Sequence, residues 1–267
     1  VVSAIGNTTD LLLELLEKAK ENKPYADHLQ ELKTLNFYPQ INTEEHFKLI
    51  ENILQGVSLI QDYSPKVQDL LLAQGELISS KVVTQLLSNQ GLQATFVNST
   101  QLIKTDAYFT AANVNETLTE LAVQTEFEKL ADKKLIVLGG FIGSTAENDI
   151  TTLGRNGSNL TTALIANYTQ AEEFLNFTHV DGIYTANPEW VASAKRIEQL
   201  NYSEANELAT FGASILHAKT IVPLIEKKIP LRILNTLNPE STGTLISAEP
   251  TPNGVKSLTV LQNVALI

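Results

Sequence analysis

The sequence contains no cysteine, no methionine and one tryptophan in 267 residues. The absence of cysteine excludes disulfides, thiolate metal sites and cysteine nucleophiles. The four histidines, His28, His46, His179 and His217, show no ligand-like spacing, so no protein-built metal site is expected. Positive charge is scarce as well: 19 Lys+Arg against 30 Asp+Glu leave a formal net charge of −11. Nucleic acid and anionic membrane surfaces both demand a basic patch, so small molecules or proteins are the expected partners. Long hydrophobic runs are missing too. The most apolar stretches, 11–16 and 135–143, fall far short of the roughly 18 residues of a membrane span, and no basic-then-apolar leader opens the chain. A cytoplasmic protein is the simplest reading. With no initiator methionine and a strand-like opening Val1-Val2-Ser3, the chain reads as a fragment.

What is present is enough apolar material, 43% of residues, for a sizeable core. After the opening strand, Asn7-Thr8-Thr9-Asp10 supplies capping side chains ahead of a leucine-rich helix. The stretch 27–72 carries apolar residues at helical spacing and reads as a helical excursion. A further helix is expected over 76–89, ended by Gly91, before a strand at 94–97. Another helix, 116–130, precedes Lys134-Leu135-Ile136-Val137-Leu138, apolar throughout as a strand covered on both faces should be. Helices near 159–168, 203–210 and 212–226 alternate with strands at 173–178 and 231–235. The alternation predicts an α/β protein, a three-layer α/β/α sandwich with a mainly parallel central sheet. Residues 247–254, rich in Pro, Asn and Gly, read as a linker.

Neither a Gly-x4-Gly-Lys-Ser/Thr loop nor a Gly-x-Gly-x-x-Gly fingerprint occurs, so another phosphate architecture is required. Three segments stand out. Thr151-Thr152-Leu153-Gly154-Arg155-Asn156-Gly157-Ser158-Asn159 is a Gly-rich turn with one arginine before a helix. A helix N-terminus beside a guanidinium makes an anion site, and arginine's planar fork suits a carboxylate. An ordinary helix cap fits the same pattern. Thr178-His179-Val180-Asp181-Gly182-Ile183-Tyr184-Thr185 follows a strand end, where open α/β sheets host nucleotides, although Asp-Gly turns are common. Phe211-Gly212-Ala213-Ser214-Ile215-Leu216-His217-Ala218-Lys219 mixes hydroxyls, a histidine and a lysine near a helix start, which a solvated helix face would explain equally well.

Together, in this order and spacing, the three segments resemble the aspartokinase branch of the amino acid kinase family. Its members share Gly-Arg-x-Gly-Ser, Thr-x-Val-x-Gly-x-Tyr-Thr and Phe-Gly-Ala-x-x-Leu-His. Val2-Ser3-Ala4, Gln74-Gly75-Glu76, Gly139-Gly140-Phe141 and Gly243-Thr244-Leu245-Ile246 extend the resemblance over nearly the whole chain. It implies ATP-dependent, magnesium-dependent phosphorylation of the L-aspartate side-chain carboxylate to 4-phosphoaspartate, which opens the pathway to lysine, threonine, methionine and isoleucine. Carried over, Arg155 and Glu76 are the catalytic candidates. Arg155 clamps a substrate carboxylate, Glu76 reads the α-amino group, and Thr9, Ser158 and Asn159 complete the aspartate pocket. Gly139 and Gly140 lie near the phosphates; Thr178, His179, Asp181, Tyr184, Ser214, Ile215 and Lys219 serve the nucleotide.

The resemblance also implies a kinase domain over 1–248, a linker at 249–254 and the start of an ACT regulatory domain at 255–267. The family's first strand and its Lys-Phe-Gly-Gly-Thr/Ser loop would precede Val1, and the full-length protein would be a homodimer. Asn159 and His179 stand where aspartate is usual, Glu189 where arginine is, and Ser214 where lysine is. A catalytically silent amino-acid-binding module, or another amino acid kinase, is the alternative reading.

Overall fold

Ser64-Pro65 begins the longest element. The serine Oγ accepts the Val67 N–H, and proline occupies a first-turn position whose N–H would be unpaired anyway. From there a single helix, α4, runs over Pro65–Asn89. The helix expected to begin near residue 76 therefore begins eleven residues earlier than sequence pattern suggested. A glycine at 75 weakens the local helical signal, yet it sits where Ala4 and Thr8 leave no room: a Cβ there would lie 3.1 Å from a side-chain carbon of each. At the other end, the Gly91 N–H bonds Ser88 O and the Leu92 N–H bonds Leu87 O. This is the paired closure that a left-handed residue allows, and Gly91 has φ +82°.

The computed structural model describes residues 1–210 and 218–258. Its chain divides into two compact units, Val1–Thr161 and Thr162–Ile267, with the division inside helix α6 (Gly157–Thr169).

The first unit is helix-rich: α1 (Thr8–Lys20), α2 (Ala26–Leu35), α3 (Glu44–Ile60), α4 and α5 (Glu116–Lys129). Leu11, Leu12, Leu15 and Leu16 of α1 are buried against Ile50 and Leu54 of α3 and Leu71 and Leu72 of α4, which confirms the helical excursion after α1. The anticipated cap of α1 is different: Asn7 is the N-cap residue but its side chain makes no capping bond. Nor does 1–3 form a full strand; Val2 alone bridges Gly139 in parallel. Strand β1 (Ala94–Val97) pairs in parallel with β2 (Leu135–Leu138). Two three-residue strands, β3 (Ile142–Ser144) and β4 (Ile150–Thr152), pair antiparallel.

The second unit carries β5 (Phe174–Thr178), β6 (Gln199–Asn201), β7 (Leu231–Asn235) and β8 (Thr244–Ser247) in one sheet ordered β5-β7-β8-β6. Pairing is parallel at β5–β7 and β6–β8, antiparallel at β7–β8. Helices α7 (Tyr202–Thr210) and α8 (Ala218–Lys227) belong to the same unit, whose core includes Leu200, Leu224, Leu231, Ile233 and Ile246. The helix expected over 212–226 lies partly outside the described residues. Beyond β8 the chain returns to its unit: Thr251 Oγ1 donates to Glu204 Oε1 at 2.7 Å and the Leu258 N–H to Thr185 O at 2.9 Å. Residues 259–267 lie outside the description.

Candidate functional site

In the first unit four segments converge at the C-terminal end of β2. The Gly140 N–H donates to Val2 O at 2.8 Å, placing the opening segment beside the Gly139-Gly140 turn. The approach is close on both glycines. A Cβ on Gly139 would lie 3.0 Å from Glu76 Cβ and 3.1 Å from Glu76 O, and one on Gly140 would lie 2.6 Å from Ser158 Cα. These two glycines thus admit α4 from one direction and the first turn of α6 (Gly157–Thr169) from the other. The turn is pinned by the Phe141 N–H on Thr161 Oγ1 at 3.2 Å and by the Leu153 N–H on Phe141 O at 2.8 Å.

Glu76 is the chemically unusual member. It is buried in the middle of α4, and one carboxylate oxygen accepts the Ala4 N–H at 3.3 Å. The other oxygen is buried and has no hydrogen-bond partner among the described residues. Burial pushes the carboxyl up from its ordinary 4.5 to about 7, against the smaller pull of the Ala4 N–H. An unpaired buried carboxylate oxygen is costly, and a ligand ammonium would supply the missing donors.

Arg155 follows Gly154, whose φ of +70° turns the chain between β4 and α6. Arg155 is exposed and has no partner among the described residues. Ser158 and Asn159, half-buried, lie in the first turn of α6, where backbone N–H groups and the helix dipole favour an anion. Thr9 is half-buried in the first turn of α1; its neighbour Thr8 is fully buried and accepts from Asn36 Nδ2 at 2.8 Å. The first unit therefore brings together Glu76, Gly139, Gly140 and Ser158, with Arg155 and Asn159 on the adjoining turn.

In the second unit, Thr178 ends β5 and its Oγ1 lies 3.3 Å from His179 Nδ1. Asp181 serves the loop itself: its Oδ1 accepts Asn235 Nδ2 at 2.9 Å and Asn238 Nδ2 at 3.0 Å. Gly182 is required because a Cβ would lie 2.5 Å from Thr244 Oγ1, which accepts the Ile183 N–H. Tyr184 is half-buried and bridges Arg196; Lys219 is exposed near the start of α8. Ser214 and Ile215 lie outside the described residues. Asp69, a fully buried carboxylate in α4 bonded to Thr110 and Thr152, carries no motif that marks it in the sequence.

The profile of the amino acid kinase family matches residues 1–235. The chain belongs to the amino acid kinase family. Among curated members it is 33% identical over 255 residues to lysine-sensitive aspartokinase 3 of Escherichia coli (strain K12), covering 92% of this chain and 56% of that protein. It is 36% identical over 191 residues to the aspartokinase of Rickettsia prowazekii, covering 71% of this chain and 42% of that one. The crystal structure of E. coli aspartokinase III in complex with aspartate and ADP matches with a TM-score of 0.86 at 31% identity, over 94% of this chain and 58% of that chain. Clostridium acetobutylicum aspartate kinase matches with a TM-score of 0.73 at 25% identity, covering 93% and 55%. This family member spans 56% or less of each of the curated relatives named. The expected α/β amino acid kinase fold with mainly parallel pairing is borne out.

Proposed function

We propose that this amino acid kinase is the catalytic part of an aspartokinase, transferring the γ-phosphoryl group of ATP to the side-chain carboxylate of L-aspartate. The observation that carries the reading is the buried, half-satisfied Glu76 beside the Gly139-Gly140 turn and Ser158, with Arg155, exposed and without a partner among the described residues, on the adjoining turn. An amino acid presents one ammonium and, in aspartate, two carboxylates, which matches one buried acid, one arginine and one helix N-terminus. The α-ammonium would donate to Glu76 and the clamped carboxylate would take the Arg155 fork.

In the reaction a carboxylate oxygen forms a bond to the γ-phosphorus while the bond to the bridging oxygen of ADP breaks, giving 4-phosphoaspartate and ADP. Such a transfer asks the protein for alignment and charge neutralisation more than for covalent chemistry. The nucleotide is assigned to the second unit: Thr178, His179 and Tyr184 flank the adenosine, and Asp181 holds their loop to the one after β7. Ser214, Ile215 and Lys219 keep the nucleotide roles drawn from the family resemblance, and Gly139-Gly140 that of the phosphate turn. Magnesium binds mainly through substrate phosphates and water with one or two protein oxygens, so it would enter with the nucleotide. Among the described residues no group of three or more His, Cys, Asp or Glu is placed to hold a metal by itself. Domain limits of 1–248, 249–254 and 255–267, and a homodimeric full-length protein, complete the proposal.

Hydroxylamine trapping of the acyl phosphate, with L-aspartate, ATP and magnesium, tests it on this chain, on the full-length protein and on its Arg155→Ala variant. The expected result is hydroxamate from the full-length wild type with aspartate alone. Glutamate, acetylglutamate and UMP should fail as acceptors. Arg155→Ala should weaken aspartate binding about ten- to a hundredfold, the loss of hydrogen bonds to a charged group, without altering stability. Aspartate binding with no magnesium-dependent turnover in the full-length protein would instead identify a silent binding module.

A further inference from the structure

Asp69 and Glu76 are the two charged residues buried in α4, and every hydrogen-bond partner of Asp69 among the described residues is a donor. Its Oδ2 accepts the backbone N–H groups of Thr110 and Thr152, each at 2.9 Å, and its Oδ1 accepts the Thr152 hydroxyl at 2.7 Å. One side chain thereby ties three segments together: α4, the loop around residue 110, and the end of β4 three residues before Arg155. The loop is itself braced, because Asp106 Oδ1 accepts the Tyr108 and Asn113 N–H groups at 3.1 and 3.0 Å.

The backbone on both sides of this carboxylate is unusual. Thr110 has φ +72°, a sparsely populated conformation for a β-branched residue. Gly154 packs directly on it, since a Cβ there would lie 3.2 Å from Thr110 O. The turn that presents Arg155 therefore rests on a loop whose conformation is held by an N–H bonded to Asp69. Asp69 also precedes Glu76 by seven residues, two turns of one helix, so the two carboxylates project from the same side of α4.

The geometry points to Asp69 as a positioning residue that fixes the Arg155 turn to the helix carrying Glu76. It holds the two ends of the amino-acid pocket at a set separation and touches no substrate. This role rests on the aspartate reading of Glu76 and Arg155. It is independent of the nucleotide site, and it predicts a fault confined to aspartate.

The test uses the whole chain with Asp69→Asn, Thr152→Val and Thr152→Ser. L-Aspartate and ATP binding are followed by calorimetry, and amide hydrogen exchange is followed in peptides covering 106–113, 151–157 and 65–80. Thr152→Ser keeps the hydroxyl and should match the wild type. Thr152→Val should raise the aspartate Kd about tenfold, as loss of one hydrogen bond to a charged group implies, and speed exchange in 151–157. Exchange in 65–80 and the ATP affinity should stay unchanged. Asp69→Asn, which turns an amide toward backbone donors, should do more and also speed exchange in 106–113; if it fails to fold, the Thr152 pair decides. Unchanged exchange in Thr152→Val would overturn the positioning role, whatever aspartate does. Faster exchange with wild-type aspartate affinity would break its link to the substrate. A wild type that does not bind aspartate would sink the substrate reading instead, leaving exchange to decide whether Asp69 holds the turn.

Discussion

Replacing Glu76 by glutamine separates the electrostatics of this buried carboxyl from its shape. The amide has nearly the same volume and can still accept the Ala4 N–H, but it never ionises. Glu76 is held near 7 by burial, against 4.5 for the ordinary side chain. The sign follows from linkage: a carboxyl whose folded value is raised favours the folded state fully below the unfolded value and loses that contribution as pH climbs through the folded one. At about 1.4 kcal/mol per pKa unit, ionising Glu76 costs roughly 3 kcal/mol of folding free energy between pH 4.5 and 7. Below pH 4.5 both side chains are neutral and the two proteins should unfold alike. From pH 4.5 to 7 the wild type should fall behind, and at pH 8 Glu76→Gln should be the more stable by roughly that 3 kcal/mol. Urea unfolding followed by far-ultraviolet circular dichroism, stepped from pH 4 to 8.5, measures the difference, and the raised carboxyl of Asp69 cancels because both proteins carry it. The same substitution should abolish aspartate binding at pH 8, where the ligand's ammonium needs a carboxylate. Parallel stability profiles, separated by a constant across the whole range, would refute the claim that Glu76 is an uncompensated buried acid.

Three further outcomes are expected. Gly140→Ala places a Cβ 2.6 Å from Ser158 Cα, a backbone neighbour that cannot swing aside, so it should cost about 1–3 kcal/mol in urea unfolding and weaken aspartate binding together. Gly243→Ala would bring a Cβ within 1.9 Å of Ile233 O and force β7 and β8 apart; a loss of about 3 kcal/mol, seen as a lower denaturant midpoint, should follow. Leu15→Ala empties a fully buried position between α1 and its neighbours and should cost about 3–5 kcal/mol, with the Arg155 turn untouched.

Much of this was legible in the amino acids, and the failures have physical causes. The apolar run 135–138 and the leucine-rich α1 announce themselves by composition, four consecutive apolar residues in one and leucines at helical spacing in the other. Strands β3 and β4 do not, since three residues are too few to show a period. The start of α4 was misplaced because Gly75 interrupts the local signal for a reason that only packing reveals. The Arg155 turn, the Gly139-Gly140 turn and Glu76 stand out through motif resemblance, which a lone aspartate in a helix cannot offer. Asp69 is recognisable only once its three donors, from residues 41 and 83 positions away, are seen around it.

Gly75 has one more consequence. It lies between Asp69 and Glu76, at the one place in the rod where the absence of a side chain leaves the backbone most pliable. A rigid shift of α4 would carry both acids along and leave their spacing intact, whereas a bend at Gly75 would change it. Ala4 and Thr8, pressed to within 3.1 Å of the position a Cβ would take, fill that weak point like a splint. The start of α1 thus does more than contribute a threonine: it stiffens the joint on which the spacing of the pocket depends.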